Sequence, residues 1–191
     1  MLFHTLQRMH DFDANMKLYV VLHRDYAEQW QQWMAAYGLE IPHRVVIGGE
    51  ERFHSVKAAI DAIADSDAIV GIHDGVRPLV SIETLRRCYE AAEILGNAVP
   101  VVAVNDSLRE VHGEGNSAID RSRIRMVQTP QCFRLSELKS AFERPYQSSF
   151  TDDASVMEAA GHAIHLVDGN RENIKVTTPE DLRWLEWTLS A

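Results

Sequence analysis

The chain has 191 residues, 46% of them hydrophobic and 25% charged, the profile of one soluble globular domain large enough to bury a real core. With 28 acidic against 19 basic residues its formal net charge is −9, a balance that argues against nucleic acid or anionic membrane as partners. No apolar run approaches the roughly 20 residues of a membrane span, and the opening "MLFHTLQRMHDFDANMK" has no apolar core or cleavage site of a secretory signal.

Elements follow one another legibly. A helical "LFHTLQ" start leads to a strand candidate, "KLYVVLH" (17–23), and a helix over 25–38 that ends on Gly38. "HRVVIGG" (43–49) reads as a strand and "SVKAAIDAIAD" (55–65) as a helix, with Ser55 as its N-cap. Next come a strand over 68–73, a helix over 81–96 capped by Ser81, and a strand over 98–104. This alternation predicts a doubly wound α/β sandwich, mainly parallel, with helices on both faces. The segment 105–128 breaks it: apolar and polar residues alternate around "HGEGN", the pattern of two extended arms joined by a turn. Two helices, over 134–146 and 152–161, a strand over 163–169 and a terminal helix from Thr178 complete a single domain spanning 1–191. Trp184 and Trp187, three residues apart in that last helix, are expected in the core. Cys88 and Cys132 lack metal-type spacing and fit two reduced cysteines of a cytoplasmic protein.

In open α/β sheets ligands gather at the carboxyl ends of strands. Those ends carry Gly48-Gly49-Glu50, His73-Asp74-Gly75-Val76-Arg77 and Asn105-Asp106-Ser107. The glycine pair fits either a tight turn or a close ligand approach beside a helix N-terminus. Asp74 and Arg77 fit either a local salt bridge or a site. Thr151, Asp152 and Asp153 precede a helix and exceed what one cap requires, and Lys175 sits in a strand-like segment. In so acidic a chain, phosphorylated ligands require a few local cations, which makes any Arg or Lys beside a strand end informative.

Six segments in order, "GGEERFHSV", "HDGVRPLVS", "AVNDSLREV", "IDRSRIRMVQTPQCF", "TDDASVMEAAG" and "NIKVTTPEDL", resemble those of 2-C-methyl-D-erythritol 4-phosphate cytidylyltransferases from about Leu2 onward. The resemblance implies a Rossmann-like nucleotidyltransferase sandwich with a protruding β-arm at 105–125 that reaches across a homodimer. It implies transfer of a cytidylyl group from CTP to a sugar-alcohol phosphate, with Mg2+ held mainly by the nucleotide phosphates, for isoprene precursors of the non-mevalonate pathway. Gly48, Gly49, Glu50 and Ser55 then match the nucleotide-binding segment. Asp74, Gly75, Arg77, Ser107, Arg121, Thr151 and Lys175 match substrate contacts, with Asp74, Arg121 and Lys175 in the catalytic group and Asp74 close to the metal. In this reading Arg77 faces ligand instead of serving Asp74 as its salt-bridge mate. Ser107 stands where the family commonly has Thr, and "DGVRP" replaces "DAARP". The family's leading strand and its Gly-rich, Arg-bearing phosphate loop have no match here, so the expectation for 1–191 is a substrate site without full catalytic competence. A ribitol-5-phosphate cytidylyltransferase and a non-catalytic dimerisation module are the alternative readings.

Overall fold

A computed structural model describes residues 1–65 and 67–190; Ser66 and Ala191, inside the expected domain span, lie outside the described residues. The first half alternates as expected: α1 (Leu2–Phe12), β1 (Leu18–Leu22), α2 (Arg24–Ala36), β2 (His43–Ile47), α3 (Arg52–Asp61), β3 (Ile69–Ile72), α4 (Ile82–Leu95) and β4 (Asn97–Ala103). A hairpin of β5 (Leu108–His112) and β6 (Gly115–Ile119) follows, then a single 3₁₀ turn at Arg121–Arg123. The chain returns through β7 (Arg125–Val127) and β8 (Gln131–Arg134), and ends with α5 (Leu135–Ala141), α6 (Asp153–Ala159), β9 (Leu166–Asp168) and α7 (Pro179–Ser190).

The helices start and stop for local reasons. The Ser81 hydroxyl accepts the Thr84 N–H at 3.0 Å and opens α4. Gly96 closes it in the left-handed region at φ 92°, returning its N–H to the Ala92 carbonyl at 2.9 Å. Between these caps Leu85, Cys88 and Ala92 recur at helical spacing and are fully buried. Asp152 caps α6 in a reciprocal box with Ser155.

The sheet differs from expectation in its pairing. β1 and β2 pair in parallel, Leu18 opposite His43, as a two-stranded unit. The five-stranded unit has the order β3-β8-β4-β7, all antiparallel, with β9 parallel to β4. The neighbour of the strand that leads to Asp74 is thus the antiparallel segment Gln131–Arg134, which has too few residues before α5 to show a period in sequence. The largest apolar cluster joins α3, α5 and α6 to β4 and β8 through Phe53, Ile60, Val99, Phe133, Leu138 and Met157. Phe53 and Phe142 stack with ring centroids 4.7 Å apart. A second cluster, Leu6, Val20, Trp30, Met34 and Ile41, fastens α1 and α2 over β1. Burying any of these large side chains contributes roughly 1.5–3 kcal/mol.

Two expectations fail here. Trp187 is 68% exposed and Trp184 37%, while Leu185 between them is the residue that packs, against Leu79 and Val176. Ser55 is not an N-cap: α3 begins three residues earlier at Arg52, which places Ser55 within the helix.

Candidate active site

The loop leaving β3 is fixed by a short polar chain. The Thr129 hydroxyl accepts the Asp74 N–H at 3.0 Å and lies 3.0 Å from His73 Nδ1. His73 Nε2 lies 3.0 Å from the Arg77 carbonyl, which can only accept, so this network assigns the ring proton to Nε2 and makes Nδ1 the acceptor for Thr129. Both nitrogens are satisfied by a neutral ring. Burial, partly offset by the Arg77 carbonyl and Asp74, lowers the His73 pKa from 6.5 to about 4.

Asp74 then faces cations. Its Oδ2 accepts from Arg77 Nε at 3.0 Å and lies 3.4 Å from Lys175 Nζ. Burial would raise its carboxyl, but the hydrogen bond from Arg77 and the charges of Lys175, Arg77 and Arg52 outweigh it and hold the pKa below the ordinary value. Asp74 is therefore an ionised acceptor near neutral pH, suited to orienting hydroxyl groups rather than to donating protons.

Against expectation, Arg77 is the salt-bridge mate of Asp74. Its side chain is 12% exposed, folds back onto Asp74, and donates through Nη1 to the Asn173 carbonyl at 2.8 Å. A guanidinium so enclosed needs acceptors within the protein, and Asp74 and the Asn173 carbonyl supply two of them. Lys175 lies in no strand. Its segment is held by side chains: Gln128 Nε2 donates to the Asn170 carbonyl at 2.8 Å, and Asn173 Nδ2 to the Thr129 carbonyl at 2.8 Å. The Val176 N–H reaches the Val76 carbonyl at 2.9 Å. With half its surface exposed, Lys175 keeps its ammonium available to an incoming anion.

The loop after β2 belongs to the two-stranded unit. Gly48 donates to the Leu22 carbonyl at 2.9 Å, and Gly49 donates its N–H to Ser55 Oγ at 3.2 Å. A Cβ on Gly48 would lie 2.7 Å from Ser55 Oγ, and one on Gly49 2.5 Å from His54 Cβ, so the tight turn itself demands both glycines. Glu50 is exposed at the turn.

Arg52 joins this loop to the Thr151 loop. Its guanidinium donates to both carboxylate oxygens of Asp153, at 2.8 and 2.6 Å, and Asp153 is fully buried. Burial pushes the Asp153 carboxyl above its ordinary value while Arg52 pulls it back; the two-point bond makes it the ionised partner of a permanent cation. Gln131 donates to Asp152 Oδ2 at 2.8 Å and accepts the Ala154 N–H at 2.9 Å. Thr151 is exposed beside this frame.

Ser107 and Arg121 stand elsewhere. The pairing of Leu108 with Ile119 puts them at the same, exposed end of the β5–β6 hairpin, where Arg121 donates to the Asn105 carbonyl. No hydrogen bond or ion pair among the described residues links either to the Asp74 group within one chain. Asp74, Gly75, Arg77 and Lys175 thus share one centre, with the Gly48–Ser55 and Thr151 loops joined to each other by Arg52 and Asp153. His73, Thr129, Gln131, Asn173 and Arg52 had no assigned role from sequence. Each lies inside a segment quoted for the resemblance, but the partner that gives it meaning is distant in the chain.

Comparison with known proteins agrees with this geometry. The family model described as "IspD: 2-C-methyl-D-erythritol 4-phosphate cytidylyltransferase" matches residues 1–191. A protein of that name from Bacteroides thetaiotaomicron is 44% identical over 182 residues, covering 95% of this chain and 83% of the relative. Another from Porphyromonas gingivalis is 45% identical over 183 residues, covering 95% and 81%. The crystal structure of the Thermus thermophilus enzyme of the same name superposes with a TM-score of 0.79 at 29% identity, covering 98% of this chain and 89% of that one. With residues, fold and relatives in agreement, the chain belongs to the 2-C-methyl-D-erythritol 4-phosphate cytidylyltransferase family.

Proposed function

We propose that this chain transfers a cytidylyl group from CTP to 2-C-methyl-D-erythritol 4-phosphate, releasing pyrophosphate and forming 4-diphosphocytidyl-2-C-methyl-D-erythritol. The observation that carries the reading is the Asp74 centre: one ionised carboxylate held between Arg77 and Lys175 at the end of β3, in a protein of net charge −9. A phosphate monoester is already an anionic nucleophile near neutral pH, so its oxygen can attack the α-phosphorus in line without a protein base or a covalent intermediate. The chain's contribution is then positioning and charge. Asp74 accepts hydroxyl groups of the polyol, with Gly75 and Thr151 alongside, and Lys175 faces phosphate. Gly48, Gly49, Glu50 and Ser55 border the nucleoside. Arg77 acts indirectly, by fixing the Asp74 carboxylate.

The residues fit a magnesium ion held chiefly by nucleotide phosphates. No cluster of three His, Cys, Asp or Glu side chains exists among the described residues to form a protein cage, and Asp74 Oδ1 has no protein hydrogen-bond partner there. Asp74 would hold one position, and the bound ion would supply neutralisation of phosphate charge. Ser107 and Arg121, exposed at one end of the β5–β6 arm, would complete the site of a second copy in a homodimer. No described helix is long and apolar enough to cross a membrane, and the buried free thiols Cys88 and Cys132 support a cytoplasmic setting.

The test is pyrophosphate release from CTP and magnesium with a panel of sugar-alcohol phosphates. Turnover with the methylerythritol phosphate supports the assignment. Preference for ribitol 5-phosphate would replace the substrate, and binding without turnover of any polyol phosphate would leave the chain a binding module.

A further inference from the structure

Three groups hold Asp74 in place, and all of them lead to Asn173. Arg77, which donates to Asp74 Oδ2, finds a second acceptor in the Asn173 carbonyl at 2.8 Å. Thr129, whose hydroxyl accepts the Asp74 N–H, accepts on its own carbonyl from Asn173 Nδ2, also at 2.8 Å. Lys175, 3.4 Å from Asp74 Oδ2, follows Asn173 closely in a segment that belongs to no strand.

That segment depends on side chains because its backbone has left the sheet. β9 runs parallel to β4 as far as Asp168 and stops. Beyond it the Gln128 carboxamide stands in for a paired strand: Oε1 accepts the Asn170 N–H at 3.3 Å, and Nε2 donates to the Asn170 carbonyl at 2.8 Å. A Cβ on Gly169 would run into Gln128 Oε1, so this approach requires glycine there. The Asn173 N–H turns back to the Asn170 carbonyl at 3.1 Å, and its side chain makes the tie to Thr129.

For stability alone asparagine is a poor choice at this position. Asn173 is fully buried, and its Oδ1 has no hydrogen-bond partner among the described residues. A buried amide that uses its donor but leaves its acceptor bare loses to desolvation much of what its hydrogen bond contributes. A leucine of similar shape would remove the bare Oδ1. It would leave bare instead the Thr129 carbonyl, which has no other donor among the described residues. One unpartnered oxygen is exchanged for another. A local choice that stability does not explain fits a place where position matters more.

We infer that Asn173 is a positioning residue for the Asp74 centre: its side-chain amide sets the spacing of Asp74, Arg77 and Lys175 while adding no net stability. The inference rests on the cytidylyl-transfer reading for its substrate, and on these bonds for its geometry. Loss of the amide lets the carboxylate that accepts polyol hydroxyls shift against the ammonium that faces phosphate. The Gly48–Ser55 loop belongs to the two-stranded unit, and no hydrogen bond among the described residues joins it to Asn173, so the nucleotide side is spared.

The test is Asn173→Leu in the whole chain, with three readouts. The urea midpoint should stay close to that of the wild type. Turnover should become selective: kcat/KM for the methylerythritol phosphate falls between about 10- and 100-fold, while KM for CTP changes less than about twofold. Amide exchange at Asp74 and Val176, read by NMR, should quicken about tenfold, with β1 and β2 unchanged. Failure to fold, or a midpoint that falls along with activity, would make Asn173 a stabilising residue and overturn the inference. Unchanged kcat/KM, or an equal rise in KM for both substrates, would overturn it too. The exchange readout needs no turnover. A wild type that transfers no cytidylyl group would defeat the proposed function, yet quickened exchange at Asp74 and Val176 would still support this role for Asn173. Unchanged exchange there would overturn it whichever reaction the centre performs.

Discussion

Lowering the pH from 7 to 5 should destabilise this protein through His73 in particular. The neutral ring donates from Nε2 to the Arg77 carbonyl and accepts at Nδ1 from Thr129, and its pKa falls from 6.5 to about 4. As pH drops below 6.5 the unfolded chain takes up the proton first, so stability is lost through the window from 6.5 to 4 and the loss is complete below it. At about 1.36 kcal/mol for each pKa unit the full effect is roughly 3 kcal/mol, of which about 2 kcal/mol is gone by pH 5. Urea unfolding of the wild type and of His73→Gln over this range isolates the contribution, because the remaining titrating groups are common to both. The wild type should lose about 2 kcal/mol more than the variant between pH 7 and 5. Parallel stability curves would refute the reasoning. So would an NMR titration placing the His73 midpoint near 6.5, a measurement that does not depend on the variant folding.

Arg52→Ala strands the buried Asp153 carboxylate and should cost about 3 kcal/mol in chemical denaturation, with Arg52→Lys falling between it and the wild type. Gly96→Ala places a side chain at φ 92° and should lower stability by about 1 kcal/mol, visible as a shifted denaturation midpoint. Asp74→Asn keeps the shape of the site but loses the ionised acceptor, so kcat/KM for cytidylyl transfer should fall about 10²-fold or more. If the arm works across a dimer, verified heterodimers of Arg121→Ala and Asp74→Ala chains regain measurable turnover from one intact site; none regained means that each chain serves itself.

Sequence reading reached the elements more reliably than their partners. Ser81 and Gly96 bound a helix in the sequence because capping is a bond between near neighbours, and both positions agree with the structure. β8 escaped notice because four residues between a turn and a helix carry no period, yet that strand stands beside β3. The site divided in the same way. Asp74 and Lys175 were legible as charges at conspicuous places, and their 3.4 Å approach fits that reading. The pairing of Arg77 with Asp74 departs from expectation, and the carbonyl that helps to hold it there, Asn173, is 96 residues away in the chain. The tryptophans of α7 followed a rule of spacing that Leu185 satisfied in their place.

The bond between Arg52 and Asp153 has a consequence for how this fold can change its preferences. It lies between the loop proposed to border the nucleoside and the loop that carries Thr151, yet its guanidinium and carboxylate are spent on each other. The spacing of the two loops is therefore inherited from a contact that selection on either ligand does not directly alter. New bases or new polyols would have to be accommodated by exchanging side chains at fixed positions along each loop, as type is changed within a locked frame.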